Sequence, residues 1–148
     1  MPSTISESDA SLNVRRLEPR DEELAAQVCR LFDDDDVDPA AFLQRPEAVM
    51  FVVEDDSGAC GCAYGHELVH PTGERTMLLY SLDVAENVRR RGYGVALVNA
   101  FVDHARAIGC TEVWVLTDDA NPAALATYSA AGGQRDPADQ VMFVWPLG

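Results

Sequence analysis

The feature that most constrains the fold is a strand, a basic loop and a long helix that follow one another between Thr76 and Ile108. The strand is predicted from Thr76 to Val84. The helix is predicted from Gly92 to Ile108, because its apolar residues recur three or four positions apart. Gly109 is the expected C-terminal cap. A strand that leads directly into an amphipathic helix indicates an α/β fold.

The other patterns predict five more strands and three more helices. Val113 to Thr117 is an unbroken apolar run, which is typical of a strand buried on both faces in the middle of an α/β sheet. Asn121 is the expected N-cap of a helix with Pro122 in its first turn, and Gly132 and Gly133 end it. The remaining predicted elements are the strands Leu12 to Leu17, Ala48 to Glu54, Ala59 to His70 and Gln140 to Leu147, a helix opened by Pro19 and Asp21 and ended by the acidic run Asp33 to Asp38, and a short helix from Ala40 to Gln44. The order β-α-α-β-β-β-α-β-α-β predicts a mixed central sheet flanked by helices.

The length of 148 residues fits one compact domain. The expected organisation is a polar, disordered tail over residues 1–10 and a single domain over residues 11–148. The tail has neither a basic nor an apolar region, so it is not expected to be a signal peptide. No apolar run approaches the roughly 20 residues that cross a bilayer, and a cytoplasmic location is therefore expected.

The chain is strongly acidic, with 25 Asp and Glu residues against 11 Lys and Arg residues and a net charge of −14. Such a charge repels nucleic acids and anionic membranes and attracts cations. A soluble or salt-tolerant surface would have the same composition. To infer a cationic partner, an acidic site at a particular place in the sequence is therefore needed as well.

The cysteines and histidines predict no metal site. Cys60 and Cys62 form C-x-C rather than C-x-x-C, and all four cysteines are expected to be reduced and mostly buried. His66 to His70 spells H-E-x-x-H, a motif that binds zinc from one face of a helix. This motif falls on a predicted strand, where the two imidazoles would be about 13 Å apart.

The loop from Arg89 to Gly94 combines three arginines and two glycines at the start of the long helix. Free backbone N–H groups and the helix dipole favour an anion there, and glycine lets the backbone approach it closely. The alternative is a basic turn without a ligand. The P-loop sequence is absent, and a match to G-x-G-x-x-G fails because Leu97 stands at the third glycine position.

Two motifs in this order resemble those of the GNAT acetyltransferases. R-x-x-G-x-G after L-x-V, here Leu82 to Gly94, looks like the acetyl-CoA motif of that family. Asn121 to Tyr128 followed by Gly132 resembles its N-x-x-A-x-x-x-Y pattern and the glycine after it. The two motifs span Met77 to Gly133. The resemblance implies the GNAT fold, acetyl-CoA as the cofactor and N-acetyltransferase activity.

The resemblance also implies the cofactor contacts. Main-chain groups of Leu82, Asp83 and Val84 would pair with the pantetheine arm like an added strand. Asn121 would contact the same arm, and Tyr128 would point at the thioester sulfur. The residues that would hold the pyrophosphate are Arg89, Arg90, Arg91, Gly92, Tyr93 and Gly94.

Acetylation of an amine requires two proton movements. The ammonium form of the acceptor must lose a proton to a general base, or to water that leads to one. The leaving thiol has a pKa of roughly 8.5, so weak acid help suffices, and Tyr128 is the candidate acid. Asp83, Asp118 and Asp119 are the candidate bases, and Asp118 is favoured because it follows the buried strand. The alternative is that Asp118 or Asp119 only begins the turn before Asn121, and alternation along the strand allows Asp83 to face either layer.

The predicted acceptor is a small cationic amine. Its candidate contacts are carboxylates of the acidic run and of the segment after the buried strand: Asp33, Asp34, Asp35, Asp36, Asp118 and Asp119. The pattern from Ser81 to Gly92 and from Asp118 to Tyr128 is similar to small bacterial aminoglycoside 3-N-acetyltransferases of the family, which implies a role in antibiotic resistance. The alternatives are another amine (a polyamine, an amino acid or a protein N-terminus) and an acyl-CoA sensor without turnover. A homodimer is compatible with the resemblance.

Overall fold

A computed structural model describes residues 12–33, 36–136 and 141–148 of the protein. The elements are β1 (Asn13–Arg16), α1 (Glu22–Cys29, after a 3₁₀ turn Pro19–Asp21), α2 (Pro39–Leu43), β2 (Ala48–Asp55), β3 (Gly58–Val69), β4 (Arg75–Val84), α3 (Tyr93–Ala107, after a 3₁₀ turn Glu86–Val88), β5 (Glu112–Trp114) and α4 (Pro122–Ala130). The predicted order is thus confirmed from the first strand to the last helix. The predicted polar tail, residues 1–10, lies outside the described residues.

The strands form one mixed sheet in the order β1-β2-β3-β4-β5. Neighbours from β1 to β4 pair antiparallel, and β5 runs parallel to β4 because α3 carries the chain back across the sheet. β5 pairs only with Thr76 to Leu78, whereas β4 continues to Val84. On the side of β4 that faces away from β3, the backbone beyond Leu78 therefore has no neighbouring strand among the described residues.

Two apolar cores cover the two faces of the sheet. On one face α3 packs against the strands, with Leu97, Phe101 and Leu79 almost completely buried. On the other face α1 and α2 pack over the sheet, with Val28 and Cys62 buried between the layers. Membership of one core or the other therefore tells which layer a strand residue faces.

Short-range chemistry sets the helix ends. Asp38 caps α2 by accepting a hydrogen bond from the N–H of Ala41 at 3.4 Å, and Pro39 stands where a missing N–H is harmless. Gly109, with a φ of 92°, follows α3 as predicted. Within the described part of the chain, no helix combines the length and the apolar character needed to cross a membrane.

Two strand predictions are corrected. The predicted last strand, Gln140 to Leu147, is not formed: Gln140 lies outside the described residues, and residues 141–148 are irregular and exposed. A strand needs a partner for its backbone N–H and C=O groups, and this segment pairs with none of the five strands despite its apolar sequence. The predicted strand Val113 to Thr117 shortens to Glu112–Trp114 at the sheet edge, with Leu116 exposed, so its expected burial on both faces is wrong.

Candidate active site

The loop between β4 and α3 turns through two residues in the left-handed conformation. Arg90 has a φ of 67°, and Gly92, the N-cap of α3, has a φ of 83°. Glycine adopts this conformation freely, whereas for arginine it costs on the order of 1 kcal/mol. The N–H of Ala96 donates to the C=O of Gly92 at 3.0 Å, so the three preceding N–H groups of α3 lack an intrahelical partner. The loop therefore offers backbone donors to an anion at the positive end of the helix dipole.

The three arginines of this loop are exposed, and none forms an ion pair with a described residue. Arg89 donates from Nε to the C=O of Val84 at 3.1 Å, which fixes it to the end of β4. Acidic partners are plentiful in a chain of net charge −14. Arg89, Arg90 and Arg91 thus remain available for an anion from outside the chain.

Tyr93, in contrast, is turned into the protein. Tyr93 is the first residue of α3, and its side chain is buried in the core between this helix and the sheet. Its hydroxyl donates a hydrogen bond to Oδ2 of Asp55 at 2.9 Å. Hydrogen bonds from Ser57, and then the one from Tyr93, lower the pKa of Asp55, while the same contact raises the pKa of Tyr93. Only the backbone N–H of Tyr93 is left for the predicted pyrophosphate contact.

The second sequence motif begins at the N-terminus of α4. Asn121 is the N-cap, and its Oδ1 accepts a hydrogen bond from the N–H of Ala124 at 3.1 Å. Pro122 occupies the first turn, as predicted. Because the amide oxygen caps the helix, the side-chain NH₂ group of Asn121 remains available as a donor.

Tyr128 lies half-buried on α4 and packs against the core beneath α3. Burial raises the pKa of its hydroxyl, and the negative charge of Asp83 raises this pKa further. The hydroxyl therefore stays protonated at neutral pH, as a proton donor must. The charge of Asp83 therefore reaches the hydroxyl of Tyr128.

α3 and α4 approach each other closely at Gly94. A Cβ added there would lie 3.1 Å from Cγ2 of Thr127 and 3.8 Å from Cγ2 of Val84. Thr127 is fixed on α4, because its Oγ1 donates to the C=O of Ala123 at 3.0 Å. Gly94 thus has a packing role between the two motif helices, in addition to any close approach of a ligand to its backbone.

We expect Gly94→Ala to lower the free energy of unfolding by about 1 kcal/mol, because the new methyl group overpacks this helix contact. Thr127→Ser removes Cγ2 and keeps the hydroxyl, so the double variant should recover most of the loss. Urea denaturation of both single variants and the double variant measures the coupling. Strictly additive losses would show that the two residues do not meet.

A β-bulge interrupts β4 in the middle of the strand. In the pairing with β3, Tyr64 lies opposite Ser81 and Gly65 lies opposite Leu79, so Tyr80 has no partner. One extra residue reverses the face of every side chain that follows it. The bulge has no clear mark in the apolar alternation along β4, so the sequence alone does not predict it.

The bulge directs Asp83 towards α1 and α2. Leu79 before it and Leu82 after it both pack with the core beneath α3, although strict alternation would separate them. Asp83 lies opposite Cys62, which belongs to the core beneath α1 and α2. Ser81 shares this face and donates from Oγ to Oδ2 of Asp83 at 2.9 Å. The half-buried carboxylate is therefore held in one orientation.

The charges of Asp33 and Asp83 act on two thiols, Cys29 at the end of α1 and Cys62 on β3. Burial raises the pKa of Cys62, and the charges of Cys29, Asp83 and Asp33 raise it further. Burial raises the pKa of Cys29, followed by the charges of Asp33 and Asp83. One carboxylate from the end of α1 and one from β4 thus act on the same pair of thiols. All four cysteines are free, as predicted.

The rest of the predicted acidic run is only partly described. Asp36 is exposed, and Asp34 and Asp35 lie outside the described residues.

Asp118 and Asp119 take part in the turn before α4. Asp118 is exposed, and it accepts a hydrogen bond from the N–H of Ala120 at 2.8 Å, as a residue that begins a turn does. Its C=O accepts from the N–H of Asn121 at 3.0 Å. Asp119 is exposed and ion-paired with Arg135. The carboxylate whose charge acts on Tyr128 is that of Asp83.

The H-E-x-x-H segment lies on β3, as predicted. The ring of His66 meets the ring of Phe42 edge-on, with centroids 5.3 Å apart. Glu67 forms an ion pair with Arg75 at 3.0 Å. His70 is exposed just beyond the end of the strand.

Comparison with known proteins identifies the class. The sequence profile of the acetyltransferase (GNAT) family matches residues 13–132. The chain is 38% identical over 94 residues to aminoglycoside N(6')-acetyltransferase type 1 of Klebsiella aerogenes, a match that spans 60% of either protein. Among solved structures, an aminoglycoside acetyltransferase from an uncultured soil metagenomic sample, crystallised with sisomicin, has a TM-score of 0.86 at 21% identity over 95% of this chain and 99% of that one. The aminoglycoside N-acetyltransferase AAC(6')-Iy in complex with CoA has a TM-score of 0.75 at 19% identity over 91% and 94% of the two chains.

The chain belongs to the GNAT acetyltransferase family, because the profile covers both sequence motifs and all five strands. The solved structures, at about 20% identity, share its fold. The predicted family and GNAT fold are thereby confirmed. The CoA complex among these structures agrees with acetyl-CoA as the cosubstrate.

Proposed function

We propose that this protein is an acetyl-CoA-dependent N-acetyltransferase that acetylates an amine of an aminoglycoside. The observation that carries the proposal is the open edge of β4, which leads directly into the exposed arginine loop at the start of α3. The match to the GNAT family profile, which includes both sequence motifs, supports an acyltransferase activity.

The residues at this edge fit acetyl-CoA. Beyond Leu78 the backbone of β4 has no neighbour on one side among the described residues, so an amide-containing pantetheine arm can pair with it as an extended peptide pairs with a sheet edge. Leu82, Asp83 and Val84 supply that backbone, and Asn121 adds its side-chain NH₂ group. The three exposed arginines of the loop, with the amides of Gly92, Tyr93 and Gly94, suit the pyrophosphate. Bound there, acetyl-CoA would supply an activated acetyl thioester.

Asp83 is the base that the geometry favours, in place of Asp118. Its carboxylate is half-buried and oriented by Ser81, and its charge raises the pKa of the Tyr128 hydroxyl. Asp118 is exposed and serves a turn. We propose that Asp83 takes a proton from the acceptor ammonium, directly or through water, and that the protonated Tyr128 gives one to the departing thiolate.

The proposed acceptor side is acidic. Asp83 faces the layer of α1 and α2, Asp33 follows α1 in that layer, and the acidic run continues with the exposed Asp36. Several carboxylates suit an acceptor with several ammonium groups. An aminoglycoside has this chemistry, and it is the substrate class named for the Klebsiella relative and for the neighbour solved with sisomicin. Because that relative is of the 6' type, the 6'-amine is a stronger candidate than the 3-amine predicted from sequence.

Turnover should depend on the acceptor in a defined way. Thiol release from acetyl-CoA is expected with neomycin, and mass spectrometry of the product should show one acetyl group. Paromomycin carries a hydroxyl in place of the 6'-amine of neomycin and is otherwise the same molecule. Turnover of neomycin alone would therefore assign the 6'-amine, and equal turnover of both would leave the 3-amine or another shared amine.

Spermidine and an amino acid serve as acceptors of other classes in the same assay. Turnover with spermidine but not with neomycin would move the function to another amine. CoA binding by calorimetry without turnover of any acceptor would favour an acyl-CoA sensor. A protein that neither turns over any acceptor nor binds CoA would contradict the proposed function altogether.

A further inference from the structure

An exposed aromatic ring lies three residues before Asp83 on β4. Tyr80 is 67% exposed, although it lies within a strand of the central sheet. Its ring stacks on that of Tyr64, with centroids 6.1 Å apart and an angle of 28° between the planes. Tyr64 is in turn supported edge-on by Phe42 of α2 at 5.5 Å. The outer ring is thus held in place from behind, with much of its surface open to solvent.

The bulge explains the position of Tyr80. As the unpaired residue of β4 it is released from the alternation of the strand, and bulges commonly redirect a side chain next to an active site. The next residue on the same strand, Ser81, holds the carboxylate of Asp83 at 2.9 Å. A single irregularity therefore places an aromatic face and an oriented carboxylate on one side of the sheet.

An amino-sugar ring matches this pair of groups. One face of such a ring presents C–H bonds, which pack on the electron-rich face of an aromatic side chain. Its ammonium substituents are attracted by the same face and by nearby carboxylates. Asp83 supplies negative charge on this side of the sheet, and so does Asp33, whose N–H donates to the C=O of Cys29 at the end of α1. An acyclic polyamine would satisfy the charges but has no ring to stack.

We propose that Tyr80, supported by Tyr64, is a stacking platform for a sugar ring of a cationic amino-sugar acceptor whose ammonium groups face Asp83 and Asp33. This inference rests on the proposed function and specifies how the same site recognises its acceptor. Tyr80 is a binding residue here, so its removal affects the acceptor and not the cofactor.

Tyr80→Ala and Tyr80→Phe test the platform, with Val69→Ala as the matched control. Val69 is 63% exposed on β3, close to the turn at the far end of the sheet. We expect Tyr80→Ala to raise the KM for neomycin about tenfold and to weaken its binding to the CoA-loaded protein, measured by calorimetry, by a similar factor. The KM for acetyl-CoA should stay within twofold, and Tyr80→Phe and Val69→Ala should behave like the wild type.

Three outcomes would overturn the platform: an unchanged neomycin KM in Tyr80→Ala, a parallel rise in the KM for acetyl-CoA, or an equal loss in Tyr80→Phe, which would assign the effect to the hydroxyl. A wild-type protein that turns over neomycin separates these results from failure of the proposed function. If the wild type neither binds nor acetylates neomycin, the proposed acceptor and the platform are both wrong.

Discussion

Replacing Asp83 with Asn is expected to lower kcat with the aminoglycoside acceptor by about 10²- to 10⁴-fold, which is the usual contribution of a general base. Asparagine has the same shape, and its amide oxygen can still accept the hydrogen bond that Ser81 donates at 2.9 Å. What it cannot do is take a proton from the acceptor ammonium. The KM for acetyl-CoA should change little, because the proposed cofactor contact at this residue uses the main chain.

Two other carboxylates make this experiment specific. Asp118→Asn should cost less than about fivefold, because asparagine can also accept the turn hydrogen bond from Ala120. Asp103→Asn is the surface control, since Asp103 is exposed on α3 and paired only with Arg106 among the described residues. Steady-state kinetics with CoA affinity by calorimetry separates catalysis from binding. A large loss in Asp118→Asn together with an active Asp83→Asn would assign the base to Asp118.

Gly65→Ala is expected to destabilise the protein by about 4 kcal/mol or more, in the range reserved for severe backbone or core defects. A Cβ at this position would lie 1.8 Å from the backbone oxygen of Leu78 and 3.0 Å from Cζ of Phe101. Neither the paired backbone of β4 nor a ring in the centre of the core can move aside cheaply. Urea denaturation followed by circular dichroism measures the loss.

Gly73→Ala is the control for this variant. Gly73 lies in the turn between β3 and β4, has a φ of 88° and would have no atom within 4 Å of an added Cβ. Its substitution should cost only the roughly 1–2 kcal/mol of a left-handed conformation. If Gly65→Ala is no less stable than Gly73→Ala, β3 and β4 do not approach as closely as the structure shows. A Gly65→Ala protein that folds should also have a displaced bulge and reduced acceptor turnover.

The two motifs could be predicted in detail because their structure depends on neighbours along the chain. Gly92 begins α3, and Asn121 caps α4 through a contact with Ala124, three residues further on. The apolar period of α3 is likewise visible in a short window of sequence. These local signals gave the correct element order from the first strand to the last helix, and with it the family.

Prediction failed where a segment depended on a distant partner. The run Val141 to Leu147 has the composition of a strand, yet its described residues are irregular because no strand of the sheet pairs with it. The direction of the Tyr93 side chain likewise depends on a distant residue, because its hydroxyl donates a hydrogen bond to Asp55 at the end of β2. Its pyrophosphate contact stays a prediction, made through the backbone N–H.

By itself the sequence determined the class of the protein, and it correctly placed the arginine loop before one helix and Tyr128 on another. The tertiary structure decided which way Asp83 faces, and with it which carboxylate we propose as the base. Alternation along β4 left the direction of Asp83 open, and the bulge at Tyr80 turned it towards α1 and α2. That bulge is a property of the pairing between β3 and β4, where Gly65 allows the two backbones to meet. A one-residue shift in pairing reverses a side chain without altering the local pattern, so only the assembled sheet could reveal it.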